Sequence, residues 1–110
     1  MPISTATKVE ALEEDFGSGA KLASLLGVSR SRVTRWRQGE GVDWANAERL
    51  DLLELAWSAL VRLYDPEVAL SWLEGLNPHL GDRRPIDLVR AGRTEEILRA
   101  IRAERAESFA

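Results

Sequence analysis

The sequence predicts an all-α protein, and three observations support this. Leucine and alanine together contribute 30 residues, against 11 for valine and isoleucine, so strong helix formers dominate. The β-branched residues are scattered and never alternate with polar residues over the length of a strand. Serine, threonine or aspartate precedes most of the segments in which apolar residues recur at helical spacing. With 110 residues, 45% of them hydrophobic, the chain is long enough to bury a core without disulfide bonds.

Three helices are predicted in the N-terminal part of the chain. Residues 7–10 fit a capping box that starts the first helix, and Gly17 is a suitable residue to end it. Ser18 is expected to cap a second helix over about residues 19–26. After a glycine turn, Ser29 is expected to cap a third helix.

A long, largely apolar helix is predicted over residues 44–64, capped by Asp43. Its polar residues form one narrow stripe: Asp51, Glu54, Ser58 and Arg62. A helix with so little polar surface is either the central helix of a domain or part of a subunit interface, which predicts a homodimer or larger assembly. Trp44, in the first turn, is expected at the edge of the core.

Three shorter helices are predicted in the remainder. Asp65, followed by proline, starts one of them, with Val68 and Trp72 facing inward. Residues 75–84 are expected to form a loop, because proline and glycine recur there. A short helix beginning at Pro85 and a final helix complete the chain.

The net charge of −3 is distributed unevenly. Residues 16–39 contain five basic residues and no acidic one, whereas residues 40–80 carry a net charge of −6. A basic block inside an acidic chain favours one local anionic partner. The alternative is that arginines on a short helix form an ordinary solvated face.

The second and third predicted helices have the spacing of a helix-turn-helix. Ala23 is small where the two helices cross, and Gly27, four residues later, tolerates the positive φ of the turn. Val28, Val33 and Trp36 provide the apolar contact that holds the third helix in place. Over residues 7–38 this pattern resembles the phage-repressor (Xre-like) superfamily.

If those apolar residues face inward, the outward face of the third helix would enter a major groove. The residues expected on that face are Arg30, Ser31, Thr34 and Arg35. Arg32 and Arg37 flank the face and are better placed for phosphate contacts. The alternative is a pair of helices with an ordinary glycine turn and arginines that only aid solubility.

A second motif occupies the region from Trp72 to Gly92. It contains Trp-Leu, then Asn-Pro-His-Leu-Gly, then Arg-Pro-Ile-Asp-Leu, and it resembles the C-terminal domain of the Xre/MbcA/ParS family of bacterial antitoxins. With the helix-turn-helix, the resemblance covers residues 16–105. Asp82 replaces a glycine that is frequent in the family, and Leu76 replaces a proline.

Most residues of this second motif have evident structural tasks. Asn77 is expected to cap its own turn, and Leu80 is expected to anchor the loop to the core. Arg83 and Arg84, adjacent in the loop, have no evident folding task and are candidates for a partner contact. His79 is interpreted as a surface loop residue rather than a metal ligand.

The family resemblance implies a type II antitoxin with two regions, residues 1–41 for DNA binding and 42–110 for dimerisation and toxin binding. Such a protein binds the promoter DNA of its own operon and neutralises a RES-domain toxin that acts on NAD. In the family the C-terminal segment is expected to reach the toxin's active-site cleft. Besides the loop arginines, the toxin-binding candidates implied here are Arg99, Arg102, Ser108 and Phe109. Phe109 is either frayed and idle or an aromatic anchor.

The main alternative is a plain homodimeric helix-turn-helix repressor with no toxin partner. An enzyme has little support, because the chain has no cysteine, one histidine and no glycine-rich phosphate loop. No catalytic residue, metal site or cofactor is therefore predicted. No apolar run approaches the ~20 residues of a membrane span, and we expect a cytoplasmic protein without a membrane partner.

Overall fold

The computed structural model describes residues 4–108, and this part of the chain is helical with no β-strand, which confirms the all-α prediction. The helices are α1 (Thr5–Phe16), α2 (Gly19–Leu26), α3 (Arg30–Arg37), α4 (Trp44–Leu60), α5 (Pro66–Glu74), α6 (Pro85–Arg90) and α7 (Thr94–Ser108), with a short 3-10 helix at Pro78–Leu80. One isolated bridge joins Asn77 and Arg83.

The chain divides into two compact units, Met1–Leu50 and Asp51–Ala110. The division lies within α4, whereas the sequence analysis places the boundary of the DNA-binding region at residue 41. That functional boundary stays a prediction.

Helix α1 begins earlier than predicted, so the capping box at residues 7–10 is wrong. Ser4 is the N-cap, and its side chain accepts a hydrogen bond from the backbone N of Thr7 at 3.2 Å. The Thr7 hydroxyl hydrogen-bonds to the Ser4 hydroxyl at 2.8 Å instead of capping a helix. The end of α1 is as predicted, because Gly17 has φ 93 and ends the helix in the left-handed conformation.

Helices α1, α2 and α3 pack against one another and form the core of the first unit. Its fully buried side chains include Val9, Leu12, Leu22, Leu25, Leu26 and Val33. Each buried side chain of this kind contributes about 1.5–3 kcal/mol relative to an exposed one. This packing holds α3 through its apolar side and leaves the opposite side to solvent.

Helix α4 starts as predicted and ends earlier. The Asp43 carboxylate accepts hydrogen bonds from the backbone and side-chain nitrogens of Asn46, which lower the pKa of Asp43. The helix stops at Leu60, and residues 61–63 form a turn, so the predicted extent to residue 64 is too long. The placement of Trp44 at the edge of the core is also wrong, because this side chain is 77% exposed. Helical side chains point toward the N-terminus, and at the first position no preceding turn covers them.

The second unit is built from the later helices, of which α6 packs against both α5 and α7. On α5, Ala69 and Leu73 form the fully buried face. Val68, predicted to face inward, is 50% exposed, and that prediction is wrong. Each residue turns a helix by about 100°, so burial of Ala69 rotates Val68 toward solvent. Trp72 is half-buried, and its Nε1 is buried without a hydrogen-bond partner in the described residues.

Candidate functional site

The turn between α2 and α3 is fixed by local hydrogen bonds. Gly27 has φ 71 and ψ 32, the left-handed conformation that glycine adopts without strain. The backbone N of Val28 donates to the carbonyl of Ala23 at 3.0 Å, which closes the end of α2. The side chain of Ser29 then accepts from the backbone N of Arg32 at 3.1 Å and starts α3. The caps and the glycine turn predicted from the sequence are confirmed.

Helix α3 has one buried side and one exposed side. Val33 and Trp36 are 0% and 2% exposed, as the sequence predicts. The six DNA-contact candidates all lie on this helix, and all are exposed except Thr34, which is half-buried: Arg30, Ser31, Arg32, Thr34, Arg35 and Arg37. The Thr34 hydroxyl donates to the carbonyl of Arg30 at 3.1 Å, which satisfies it within the helix. The structure therefore places the predicted residues on one short, solvent-facing element.

Two of these arginines are paired with acidic residues. Arg35 Nε lies 3.1 Å from Glu40 Oε2, and both side chains are about half-exposed. Arg37 NH1 lies 3.1 Å from Glu13 Oε2, whose side chain is only 13% exposed. The carboxylate of Glu13 lies against Gly19, where an added Cβ would stand 3.0 Å from Oε1. The second pair is not evident from the sequence, because its partners are 24 residues apart and belong to different helices.

The other two arginines of α3 form no ion pair within the described residues, although the charge of Arg32 helps to lower the pKa of Asp43. Within residues 4–108, Arg30 and Arg32 make no hydrogen bond or ion pair through their side chains. Both belong to the first turn of α3, the end at which a helix presents free backbone N–H groups. The positive charge that α3 offers to an anion is therefore concentrated at its N-terminal turn.

The loop after α5 is organised around Asn77, which is 4% exposed. Its Oδ1 accepts from the backbone N of His79 at 2.9 Å, which confirms the predicted turn cap. Its backbone carbonyl accepts from the nitrogens of Leu80 and Asp82, and its backbone N donates to the carbonyl of Arg83 at 3.0 Å. Leu80 is 3% exposed and anchors the loop to the core, as predicted.

Arg83 has a folding task that the sequence analysis did not find. Its Nε donates to the carbonyl of Leu80 at 2.7 Å, and its NH2 donates to the carboxylate of Glu96 on α7. This hydrogen bond is the main reason that the pKa of Glu96 is lowered, and Arg93 pairs with the same carboxylate. The prediction that Arg83 is free of structural duties is therefore wrong. Its neighbour Arg84 is exposed and makes no side-chain hydrogen bond or ion pair within the described chain.

A groove of about 400 Å³ lies beside this loop. Leu76, which is 69% exposed, and Leu88 supply its apolar part. Asp82 and Arg84 contribute opposite charges to its lining. The groove thus combines an exposed apolar side chain with a free guanidinium.

A smaller groove of about 140 Å³ lies between the end of α4 and α7. Three arginines surround an apolar floor of Ala59, Leu63 and Ile101: Arg62, Arg102 and Arg105. None of the three makes a side-chain hydrogen bond or ion pair within residues 4–108. An unneutralised cluster of this kind suits an anionic ligand.

The remaining toxin-binding candidates lie on α7 or beyond it. Arg99 is exposed and lines a shallow pocket with residues 92–96. The Ser108 hydroxyl donates to the carbonyl of Glu104 at 3.0 Å, inside its own helix. Phe109 lies outside the described residues.

Comparison with family models, curated proteins and solved structures found no match to this chain. No helix within residues 4–108 is both long enough and apolar enough to cross a membrane.

Proposed function

We propose that this protein is a cytoplasmic type II antitoxin that represses its own operon and neutralises a RES-domain toxin. The DNA-binding half of the proposal is carried by α3, whose exposed side presents several arginines. Two of them, Arg30 and Arg32 in the first turn, form no ion pair within the described residues. The antitoxin half rests on the resemblance of residues 72–92 to the antitoxin family. The three arginines of the smaller groove in the second unit support it with a surface suited to an anionic partner.

The geometry of α3 suits entry into a major groove with its N-terminal turn leading. In helix-turn-helix proteins the first residues of the second helix contact base edges, and here these are Arg30 and Ser31. A guanidinium there pairs with guanine O6 and N7 for about 1–3 kcal/mol of discrimination. Arg32, at the side of the helix, suits a backbone phosphate, and so does Arg37 if it exchanges Glu13 for the phosphate.

A homodimer follows from the same proposal. Leu55 is 50% exposed on α4, a helix that the sequence predicts to be either the central helix of a domain or part of a subunit interface. A two-fold pair of subunits places its recognition helices about 34 Å apart, which fits a pseudo-palindromic site.

The DNA test compares two arginines of α3 on the promoter fragment and on unrelated DNA. Arg30→Ala should cost about 1–3 kcal/mol on the promoter and much less on unrelated DNA, because only the promoter offers the cognate base. Arg32→Ala should weaken binding to the promoter and to unrelated DNA by similar factors. It should also reduce the slope of log K against log salt by about one unit, because one phosphate contact is lost. Arg84→Ala, which removes the same charge from the second unit, is the matched control. If Arg30→Ala and Arg84→Ala behave alike on the promoter, Arg30 does not contact a base.

The toxin test begins with the adjoining reading frame, because an antitoxin gene is expected beside its toxin gene. Co-expression should yield a stable complex and relieve toxicity. Charge reversal at Arg102 should weaken that complex more at low than at high salt, because it lowers the positive charge of the groove that Arg102 shares with residues 62 and 105. Operator binding should be unchanged. If no toxin adjoins and none is captured, the plain repressor is the correct function.

A further inference from the structure

A histidine and two glutamates that the proposed function does not use converge at the end of α7. One ligand atom each from His79, Glu104 and Glu107 lies within 4.8 Å of the others. His79 Nε2 already stands 3.0 Å from Glu107 Oε1. We propose that these three side chains bind a zinc ion. From the sequence alone His79 is expected to be a surface residue, because nothing in the spacing relates it to carboxylates 25 and more residues away.

The distances suit zinc with little rearrangement. Zinc binds imidazole nitrogen and carboxylate oxygen at about 2.0–2.2 Å, so two ligand atoms at tetrahedral positions lie about 3.4 Å apart. His79 Nε2 and Glu107 Oε1 are 3.0 Å apart, and no two of the three ligand atoms are more than 4.8 Å apart. Glu107 is 64% exposed and free to rotate the remaining distance. Three protein ligands leave one position for water, the arrangement of an open zinc site.

Each ligand is held by the local structure. Glu104 and Glu107 are three residues apart on α7 and therefore share one face of the helix. His79 lies in the 3-10 helix, which contacts α7, and its backbone N is fixed by Asn77 Oδ1. The imidazole thus approaches the carboxylates from a constrained loop.

A neighbouring side chain orients one of the carboxylates. The hydroxyl of Tyr64 donates to Glu104 Oε1, which leaves Oε2 available to a metal. Metal-binding carboxylates are commonly held by outer hydrogen bonds of this kind, and losing such a partner costs about 10–100-fold in affinity.

The charges and donor types favour zinc over magnesium. Two carboxylates and a neutral imidazole carry a charge of −2, which one divalent ion neutralises. Magnesium prefers six oxygen ligands, whereas imidazole nitrogen suits zinc. Binding would tie the last turns of α7 to the loop around His79.

The experiment uses the full chain without an affinity tag and zinc chloride as the titrant. His79 is the sole histidine, so its ring resonances in an NMR spectrum report this site alone. At constant neutral pH, zinc should shift these resonances and calorimetry should show one ion per chain. Magnesium chloride should do neither. Unmoved ring resonances, or half an ion per chain, would overturn the proposal.

Variants separate ligation from a general effect of charge. His79→Ala and Glu107→Gln should each lower zinc affinity by more than the ~10–100-fold expected for Tyr64→Phe. Glu95→Gln removes one carboxylate from the first turn of the same helix, away from the cluster, and should leave the affinity unchanged. If His79→Ala does not fold, Glu107→Gln still decides, because a variant that binds zinc as tightly as the natural chain excludes the site.

Discussion

Replacing Glu40 with glutamine should tighten binding to promoter DNA, because it releases a guanidinium that the free protein holds in an ion pair. Arg35 Nε lies 3.1 Å from Glu40 Oε2, with side chains 48% and 55% exposed. If Arg35 contacts a base edge, as the proposed groove face requires, it must first leave Glu40. Glu40 then competes with the DNA for the guanidinium of Arg35.

The size of the gain follows from the exposure of the pair. Ion pairs this open to solvent are worth about 0.2–1 kcal/mol, which corresponds to about 1.4- to 5-fold in affinity. Loss of one negative charge near phosphates acts in the same direction and is weakened by salt. We therefore expect a modest increase in affinity that is largest at low ionic strength.

Fluorescence anisotropy with a labelled promoter fragment measures this effect in a double-mutant cycle. Glu40→Gln should tighten binding in the natural chain and lose most of that gain in an Arg35→Ala background. Glu67→Gln, the same change at an exposed residue of α5, controls for net charge. An equal gain in both backgrounds, or none in the natural chain, would show that Arg35 does not exchange Glu40 for DNA.

Three further changes test the fold and the assembly. Gly27→Ala should lower the free energy of unfolding by about 1–2 kcal/mol in urea, because φ is 71 there, while Gly41→Ala, with open space around it, should have little effect. Arg83→Ala should destabilise the protein at neutral pH and less in acid, because the hydrogen bond from Arg83 lowers the pKa of Glu96. The stabilisation by this bond is complete above the ordinary pKa of 4.5 and is lost as the pH falls through the lowered pKa. Urea unfolding of the natural chain and of Arg83→Ala should show a smaller difference in unfolding free energy at acidic pH than at neutral pH. Leu55→Glu should convert a dimer to a monomer by light scattering, whereas a natural chain that is already monomeric at high concentration would refute the dimer.

Features set by neighbouring residues were predictable from the sequence. The caps at Ser18 and Ser29 and the turn at Gly27 depend on hydrogen bonds or backbone conformation within a few residues. The apolar side of α3 also follows from helical spacing alone. Where two caps compete over a short distance, the same reasoning fails, as at the start of α1, where Ser4 rather than Thr7 is the cap.

Features that depend on packing between distant segments were not predictable. The task of Arg83 requires Glu96, 13 residues away on another helix, and no spacing rule connects them. The orientation of α5 was misjudged because Val68 and Ala69 are both apolar, and only the packing shows that Ala69 is the buried one. In the candidate site, the exposed residues of α3 were predictable from the sequence. Their acidic partners, Glu13 and Glu40, were not.

The turn at Gly81 and Asp82 has two successive residues in the left-handed region, with φ 65 and 61. An L-amino acid with a β-branched side chain is strongly disfavoured there, whereas aspartate and asparagine adopt the conformation more readily than other residues with a Cβ. Aspartate at position 82 is therefore compatible with the left-handed backbone of this turn. Glycine, asparagine and aspartate should therefore be tolerated best at position 82, although the side chain itself is exposed. Exposure alone would place few restrictions on this side chain. The left-handed backbone does restrict it, because most L-amino acids are strained in that conformation.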